Sequence, residues 1–142
     1  MDTRLQRLLW VQRIGFGAIF VVSGTDKFFN LLTYWPMYVS ESFARMLPVS
    51  GETFMHGVGV IEILLGLAML FKPTTRLGAD LASLWMLGVA VNLTTAGLYD
   101  LATRDIAIGL GTFGLGRLTT VVHGLPRGIA RLQLRRHAGA PA

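Results

Sequence analysis

The chain has 142 residues, of which 52% are hydrophobic and 15% are charged, and its formal net charge is +5. A soluble domain carries about 25% charged residues, so this deficit and a mean hydropathy of +0.54 exclude an ordinary soluble domain and indicate an integral membrane protein. The basic residues adjoin apolar segments, so we expect membrane lipids rather than nucleic acid as their partners. The absence of cysteine excludes disulfides and thiol redox chemistry by the chain itself.

The first apolar segment runs from about Leu8 to Leu32 and follows two arginines, Arg4 and Arg7. A basic start before an apolar run is also typical of a secretory signal peptide. No small-residue cleavage site follows Val22, and three more apolar segments come later. We therefore expect the segment to be retained as the first transmembrane helix.

Three further apolar segments follow, at about Phe54 to Phe71, Leu77 to Leu98 and Ile106 to Val122. Each has close to the ~20 residues that a helix needs to cross a ~30 Å hydrocarbon core. The period-two alternation that membrane strands require is absent. Because the last two connections are short, consecutive helices should be antiparallel neighbours. The sequence thus predicts an all-α membrane protein, an antiparallel up-down bundle of four transmembrane helices formed by residues 1–124.

Residues 33–53 form the longest connection, and they predict a short interfacial helix between the first two spans. Pro36 is placed to begin this helix and Pro48 to end it. Aromatic residues, which favour the membrane interface, stand near its start: Tyr34, Trp35 and Tyr38. Its apolar side would consist of Met37, Phe43, Met46 and Leu47.

Lysine and arginine favour cytoplasmic loops, so their placement predicts the orientation of the bundle. Ten lie on the side of the two termini, namely Arg4, Arg7, Arg13, Lys72, Arg76, Arg117, Arg127, Arg131, Arg135 and Arg136. Three lie on the other side, namely Lys27, Arg45 and Arg104. We therefore expect both termini in the cytoplasm.

Residues 125–142 form a basic tail beyond the last span. Within it Arg127, Arg131 and Arg135 recur every four residues and would form one stripe on a helix. The accompanying apolar face is only partial. The tail could lie on the inner leaflet as an amphipathic helix, or it could be a solvated basic segment, and the sequence leaves both interpretations open.

Three charged residues lie within the spans towards the cytoplasmic side: Arg13, Asp80 and Arg117. An ionisable group inside a membrane is costly unless it is paired or lines a cavity. One carboxylate between two guanidiniums would join three helices through bidentate contacts, or the long side chains would extend to the interface. The alternative is a basic pocket for the head group of an anionic lipid or a quinone.

Four polar residues nearer the outer side are candidates for an intramembrane site: Lys27, Glu62, Asn92 and Asp105. Lys27 and Glu62 differ in depth by only about 5 Å, at a rise of 1.5 Å per residue, so antiparallel neighbours could pair them. Unpaired and facing a cavity, Glu62 would instead be a candidate for proton transfer, and a role in recognising a partner is the third interpretation. Glycines on the same helix faces would allow close packing: Gly17, Gly24, Gly59 and Gly66.

The remaining residues assign no catalytic or metal site. His56, His123 and His137 lie far apart and at different depths, which does not match the spacing of metal ligands. The glycines of the fourth span lack the strand-turn-helix setting of a nucleotide loop. We predict no intrinsic cofactor.

Three short motifs, which begin at Arg13, Glu62 and Tyr99, together resemble those of the DoxX-like family of membrane proteins. Arg13-Ile14-Gly15 with the segment Ser23 to Lys27 resembles the first helix of that family, and Glu62 to Gly66 resembles its second. The segment Tyr99 to Asp105 resembles the entry to its fourth helix. The resemblance covers about residues 8–122 and implies a four-helix protein of a bacterial or archaeal plasma membrane. It marks Arg13, Lys27, Glu62 and Asp105 as positions that the fold uses.

The resemblance also implies a function. Members of the family are associated with membrane redox systems, including a thiosulfate–quinone oxidoreductase subunit and oxidative-stress complexes. The first hypothesis is therefore a membrane subunit of a redox-linked complex that binds a quinone or similar lipid and receives electrons from partner subunits. In it Arg13 and Arg117 would orient the head group, and Glu62 with Lys27 would relay a proton or stabilise the bundle. The alternatives are a structural or assembly subunit, or a small transporter or receptor for a lipidic molecule.

Overall fold

A computed structural model describes residues 3–124, so the predictions made for the basic tail lie outside the described residues. Four long helices make up this part of the chain: α1 (Thr3–Asp26), α3 (Gly51–Leu70), α4 (Thr75–Thr95) and α5 (Tyr99–His123). A one-turn helix, α2 (Glu41–Ala44), lies between α1 and α3. All four long helices are long and apolar enough to span a membrane, which confirms the predicted all-helical fold with four candidate spans.

Three helix boundaries differ clearly from the predicted ones, and the first is the start of α1, at Thr3 rather than near Leu8. α1 ends at Asp26 rather than near Leu32, because the Asp26 carboxylate accepts hydrogen bonds from the backbone N–H groups of Leu31 and Leu32 and folds the chain back. α5 begins at Tyr99 rather than at Ile106. Arg104, expected in a loop, therefore lies inside α5. A search for apolar residues finds only the part of a helix that faces lipid, so it does not find the polar turns with which the same helix begins or ends.

The connection between α1 and α3 is not the single helix expected between Pro36 and Pro48. It contains a 3₁₀ turn, Trp35–Tyr38, and then α2, which Ser40 caps by accepting a hydrogen bond from the Phe43 backbone N–H. A residue of α4 holds the backbone between the 3₁₀ turn and α2. Asn92 there donates to the Tyr38 carbonyl at 2.8 Å and accepts from the Ser40 N–H at 3.2 Å. The position of this segment at a membrane interface stays a prediction.

The helices form a ring in chain order, with α1 against α3, α3 against α4, α4 against α5, and α5 against α1. Small residues bring α1 and α3 together: a Cβ atom on Gly24 would lie 2.6 Å from the Gly59 carbonyl oxygen, and one on Gly17 would lie 3.2 Å from that of Gly66. The contacts run in opposite order along the two helices, so α1 and α3 are antiparallel. Their backbones therefore touch where any side chain would separate them.

The buried and exposed faces of the bundle are those of a protein solvated by lipid. The core contains small and flexible apolar residues, among them Met69, Ala79, Ala82 and Leu115. Many large apolar side chains lie on the outer surface, including Val11, Leu64, Leu84, Val91 and Leu110. A soluble monomer rarely exposes such extensive apolar surface, whereas lipid favours it.

Candidate functional site

Lys27 and Glu62 form a buried ion pair at the start of the loop that follows α1. The Lys27 Nζ lies 2.6 Å from the Glu62 Oε2, and the two side chains are only 4% and 7% exposed. Ser23 completes the group, because its hydroxyl donates to the Glu62 Oε2 and accepts from the Lys27 Nζ, each at 3.2 Å. The two charges thus neutralise each other at a depth where either one alone would be costly.

An aromatic ring covers the lysine of this pair. The Lys27 Nζ lies 3.8 Å from the centroid of the Trp35 ring, a cation–π geometry. The Trp35 indole N–H in turn donates to the Asp26 Oδ2 at 2.8 Å. The same carboxylate that ends α1 therefore holds the ring over its neighbour in the chain. The sequence analysis predicted Trp35 only as an aromatic residue at the membrane interface and did not predict its contact with Lys27.

The geometry explains the segment Ser23 to Lys27 residue by residue. Ser23 bonds to Glu62, Gly24 admits the α3 backbone, Asp26 ends the helix, and Lys27 pairs with Glu62. Because Lys27 lies just past the end of α1 rather than within it, its side chain extends back along the helix towards the Ser23 carbonyl, 3.5 Å away. The segment is therefore a structural unit that joins α1 to α3.

The other two outer candidates, Asn92 and Asp105, do not join this pair. Asn92 bonds to the backbone between the 3₁₀ turn and α2. Asp105 is buried and accepts from the Nε of Arg104 at 2.9 Å. Within residues 3–124, neither side chain makes a hydrogen bond to Lys27 or Glu62. The four predicted intramembrane residues thus lie at three separate places in the bundle.

The three-helix clamp, one of the arrangements that the sequence left open for Arg13, Asp80 and Arg117, does not form. The Arg117 guanidinium contacts both carboxylate oxygens of Asp80, at 2.6 and 2.7 Å, and the Arg76 Nε lies 3.8 Å from the same carboxylate. Arg13 takes no part, because α1 packs against α3 and α5 rather than against α4, which carries Asp80. Asp80 and Arg117 therefore pair between α4 and α5, whereas Arg13 lies elsewhere.

Arg13 instead lines a separate cavity of about 160 Å³ at the end of the bundle, here called the basic pocket. Its polar lining consists of Gln6, Trp10, Arg13, Lys72 and His123. The Arg13 guanidinium carbon lies 4.5 Å from the Trp10 ring centroid, and the Lys72 Nζ lies 5.9 Å from it. Arg13 is 7% exposed, and its Nε has no hydrogen-bond partner among the described residues. The sequence analysis singled out Arg13 but did not predict this pocket, because Lys72 and His123 come from distant parts of the chain and join Gln6 and Trp10 only in the folded bundle.

An apolar groove of about 300 Å³ runs along the outer surface of α1, here called the α1 groove. It is lined by Ala18, Ile19, Val22, Ser23 and Leu32. Ser23 is the residue that connects it to the Lys27–Glu62 pair. The groove therefore offers an apolar surface beside a hydrogen-bonded acid–base pair. Within residues 3–124, no group of three or more histidine or acidic side chains is placed to hold a metal ion.

One comparison with known proteins gives a match. The family model described as DoxX matches residues 8–95, more than half of the chain, and the matched range ends with α4. It contains both the segment Ser23 to Lys27 and the segment Glu62 to Gly66, whereas Tyr99 to Asp105 lies beyond it. No curated protein and no solved structure matches the chain.

Proposed function

Because the chain belongs to the DoxX family of membrane proteins, we propose that it is the membrane subunit of a redox-linked complex and binds a quinone or a similar amphipathic lipid. The redox association rests on the resemblance to that family. The binding role rests on one observation, the α1 groove beside Ser23 and the Lys27–Glu62 pair. In this proposal, electrons are supplied or removed by partner subunits.

The groove suits a ligand with a long apolar tail and a small polar head. Ala18, Ile19 and Val22 present an almost wholly apolar surface along α1, where a prenyl tail would lie. Ser23 lines the end of this surface, and a head-group oxygen that reached its hydroxyl would share the hydrogen bonds of Glu62. The Glu62 carboxylate can accept the proton of a quinol hydroxyl, and the carboxyl group formed in this way can return it to a quinone oxygen. In this role Ser23 connects the ligand to the pair.

The test is the lipid content of the purified protein. Wild-type protein is isolated in detergent, extracted with organic solvent and analysed for quinones by mass spectrometry. Ala18→Trp fills the groove without touching the ion pair, and Ala107→Trp places the same ring on the exposed surface of α5 as a control. We expect quinone with the wild type and Ala107→Trp, and a loss with Ala18→Trp. Equal quinone in all three, or none in the wild type, would contradict the proposal.

A second candidate function is a structural or assembly subunit. The observation that favours it is the pairing of charges: Lys27 with Glu62, and Asp80 with Arg117, each join two parts of the bundle. In this case a double variant that removes both charges of the buried pair, Lys27→Met with Glu62→Gln, should preserve assembly with partner subunits. Under the quinone-linked role the same variant folds but loses proton transfer to the bound head group.

For its cellular location we propose a prokaryotic plasma membrane with both termini in the cytoplasm. The end of the bundle that holds the start of α1 and the α3–α4 connection carries most of the basic residues of the described part: Arg4, Arg7, Arg13, Lys72, Arg76 and Arg117. The opposite end holds Lys27, Arg45 and Arg104. This asymmetry supports the orientation through the positive-inside tendency.

A further inference from the structure

We propose that the basic pocket binds a phosphate ester, and specifically the phosphate of an anionic glycerophospholipid. This site lies near the first turns of α1 and the end of α5, and it is separate from the α1 groove. The proposal therefore does not depend on the quinone-linked role.

The first observation is a buried cation that the fold does not neutralise. Arg13 is only 7% exposed, yet no carboxylate of the described residues lies within ion-pair distance of it. Its Nε is enclosed and lacks a hydrogen-bond acceptor among these residues. Lys27, Arg117 and Arg104 all have carboxylate partners in the same bundle. A buried guanidinium without an anion is costly, so Arg13 indicates a missing acceptor.

The second observation is a second cation at the same cavity. Lys72, from the α3–α4 connection, and Arg13 both lie within 6 Å of the centroid of the Trp10 ring. Two like charges that share one small cavity repel each other unless an anion lies between them. Gln6 and His123 add side chains that can donate hydrogen bonds, and no acidic residue within residues 3–124 lines the cavity. This is the donor set that a phosphate or its diester requires.

The third observation concerns the rest of the ligand. Leu9 and Val122 form the apolar wall of the basic pocket. Val11 and Val121, on the same two helices, are about 70% exposed on the outer surface. A phosphate in the pocket would thus have its acyl chains over the apolar sides of α1 and α5. A soluble phosphate would use the polar part of the cavity but not this wall, which favours a lipid.

The test is native mass spectrometry of the full chain in detergent, after delipidation and incubation with phosphatidylglycerol or phosphatidylcholine at equal concentration. Arg13→Gln and Lys72→Gln each remove one cation of the basic pocket. Arg7→Gln removes one exposed cation from the same end of α1 and is the matched control for general surface charge. We expect the wild type and Arg7→Gln to retain phosphatidylglycerol preferentially. Arg13→Gln and Lys72→Gln should each weaken its retention by about tenfold, the effect of losing one charge-assisted hydrogen bond.

Three outcomes would overturn the assignment. Equal retention of the two lipids by the wild type would show that the net negative charge of the lipid is not selected. An equal loss in Arg7→Gln would show general surface attraction rather than a site. Competition by millimolar inorganic phosphate, without any effect of the acyl chains, would assign the pocket to a soluble anion. If Arg13→Gln fails to fold, Lys72→Gln alone carries the test, because Lys72 is exposed and outside the helix core.

Discussion

The Lys27 Nζ and the Glu62 Oε2 lie 2.6 Å apart, joining the residue that follows α1 to the middle of α3. Neither charge has access to bulk water, and Ser23 and Trp35 surround the lysine with a hydroxyl and an aromatic face. The pair therefore acts as an internal crosslink between two helices whose backbones already touch at Gly24 and Gly59.

Glu62→Gln should destabilise the bundle by about 3–5 kcal/mol, because it leaves the Lys27 ammonium buried without a counter-charge. Thermal unfolding in detergent measures the change. Lys27→Met combined with Glu62→Gln should recover most of the loss, since no buried charge then remains. Glu41→Gln is the control, because it breaks an exposed pair with Arg45 that contributes little. A Glu62→Gln protein as stable as the control would show that the pair does not hold the helices together.

Gly24→Ala should loosen the contact between α1 and α3. The added Cβ would lie 2.6 Å from the Gly59 carbonyl oxygen, so the helices must separate, at a cost of about 1–3 kcal/mol. Gly57→Ala is a matched control on α3, because its Cβ would have no atom within 4 Å. The two variants are compared by thermal unfolding. A smaller loss for Gly24→Ala than for Gly57→Ala would contradict the close backbone contact.

Asn92→Ala should free the segment between α1 and α3 without unfolding the bundle. It removes one bond to the Tyr38 carbonyl and one from the Ser40 N–H, each worth about 1 kcal/mol. Hydrogen–deuterium exchange over residues 35–45 should rise, with the Ser40 amide changing most. Thr95→Ala removes a hydroxyl that bonds only to its own helix and serves as the control. Unchanged exchange at Ser40 would show that Asn92 does not hold this segment.

The Asp80–Arg117 pair should contribute less than the Lys27–Glu62 pair. The Asp80 and Arg117 side chains are 33% and 46% exposed, so solvent and lipid head groups screen their attraction. A double-mutant cycle with Asp80→Asn and Arg117→Gln should give a coupling energy of about 1 kcal/mol or less. A coupling as large as that of the buried pair would contradict this ranking by exposure.

The orientation of the bundle can be measured without background, because the natural chain has no cysteine. Glu52→Cys and Pro73→Cys place single exposed thiols at opposite ends of α3. In intact cells a membrane-impermeant maleimide should label the first and not the second. Both should react after the membrane is permeabilised, which controls for accessibility. The reverse labelling pattern would place the termini outside the cell.

Much of the fold was predictable because each segment that enters lipid must be apolar and must satisfy its own backbone hydrogen bonds, whatever its neighbours are. A run of about 20 apolar residues must form a helix that satisfies its own backbone, so the four spans could be found from Leu8 to Val122 without knowing how they pack. The depth of Lys27 and Glu62 followed in the same way from the rise per residue. Their pairing was one of three open interpretations, since depth does not determine which faces of two helices meet.

Residue contacts across the bundle were decided by the tertiary structure. Arg13 and Asp80 lie at similar depth, yet α1 and α4 are not neighbours in the ring, so Arg13 faces Lys72 and Trp10 instead. Trp35 covers Lys27 only because Asp26 ends α1 and turns the loop back. The sequence alone thus determined which segments enter the membrane, since hydrophobicity is a local property. The packing of the helices decided which charges are paired and which cation lacks an anion, because that depends on helix order and rotation around the bundle.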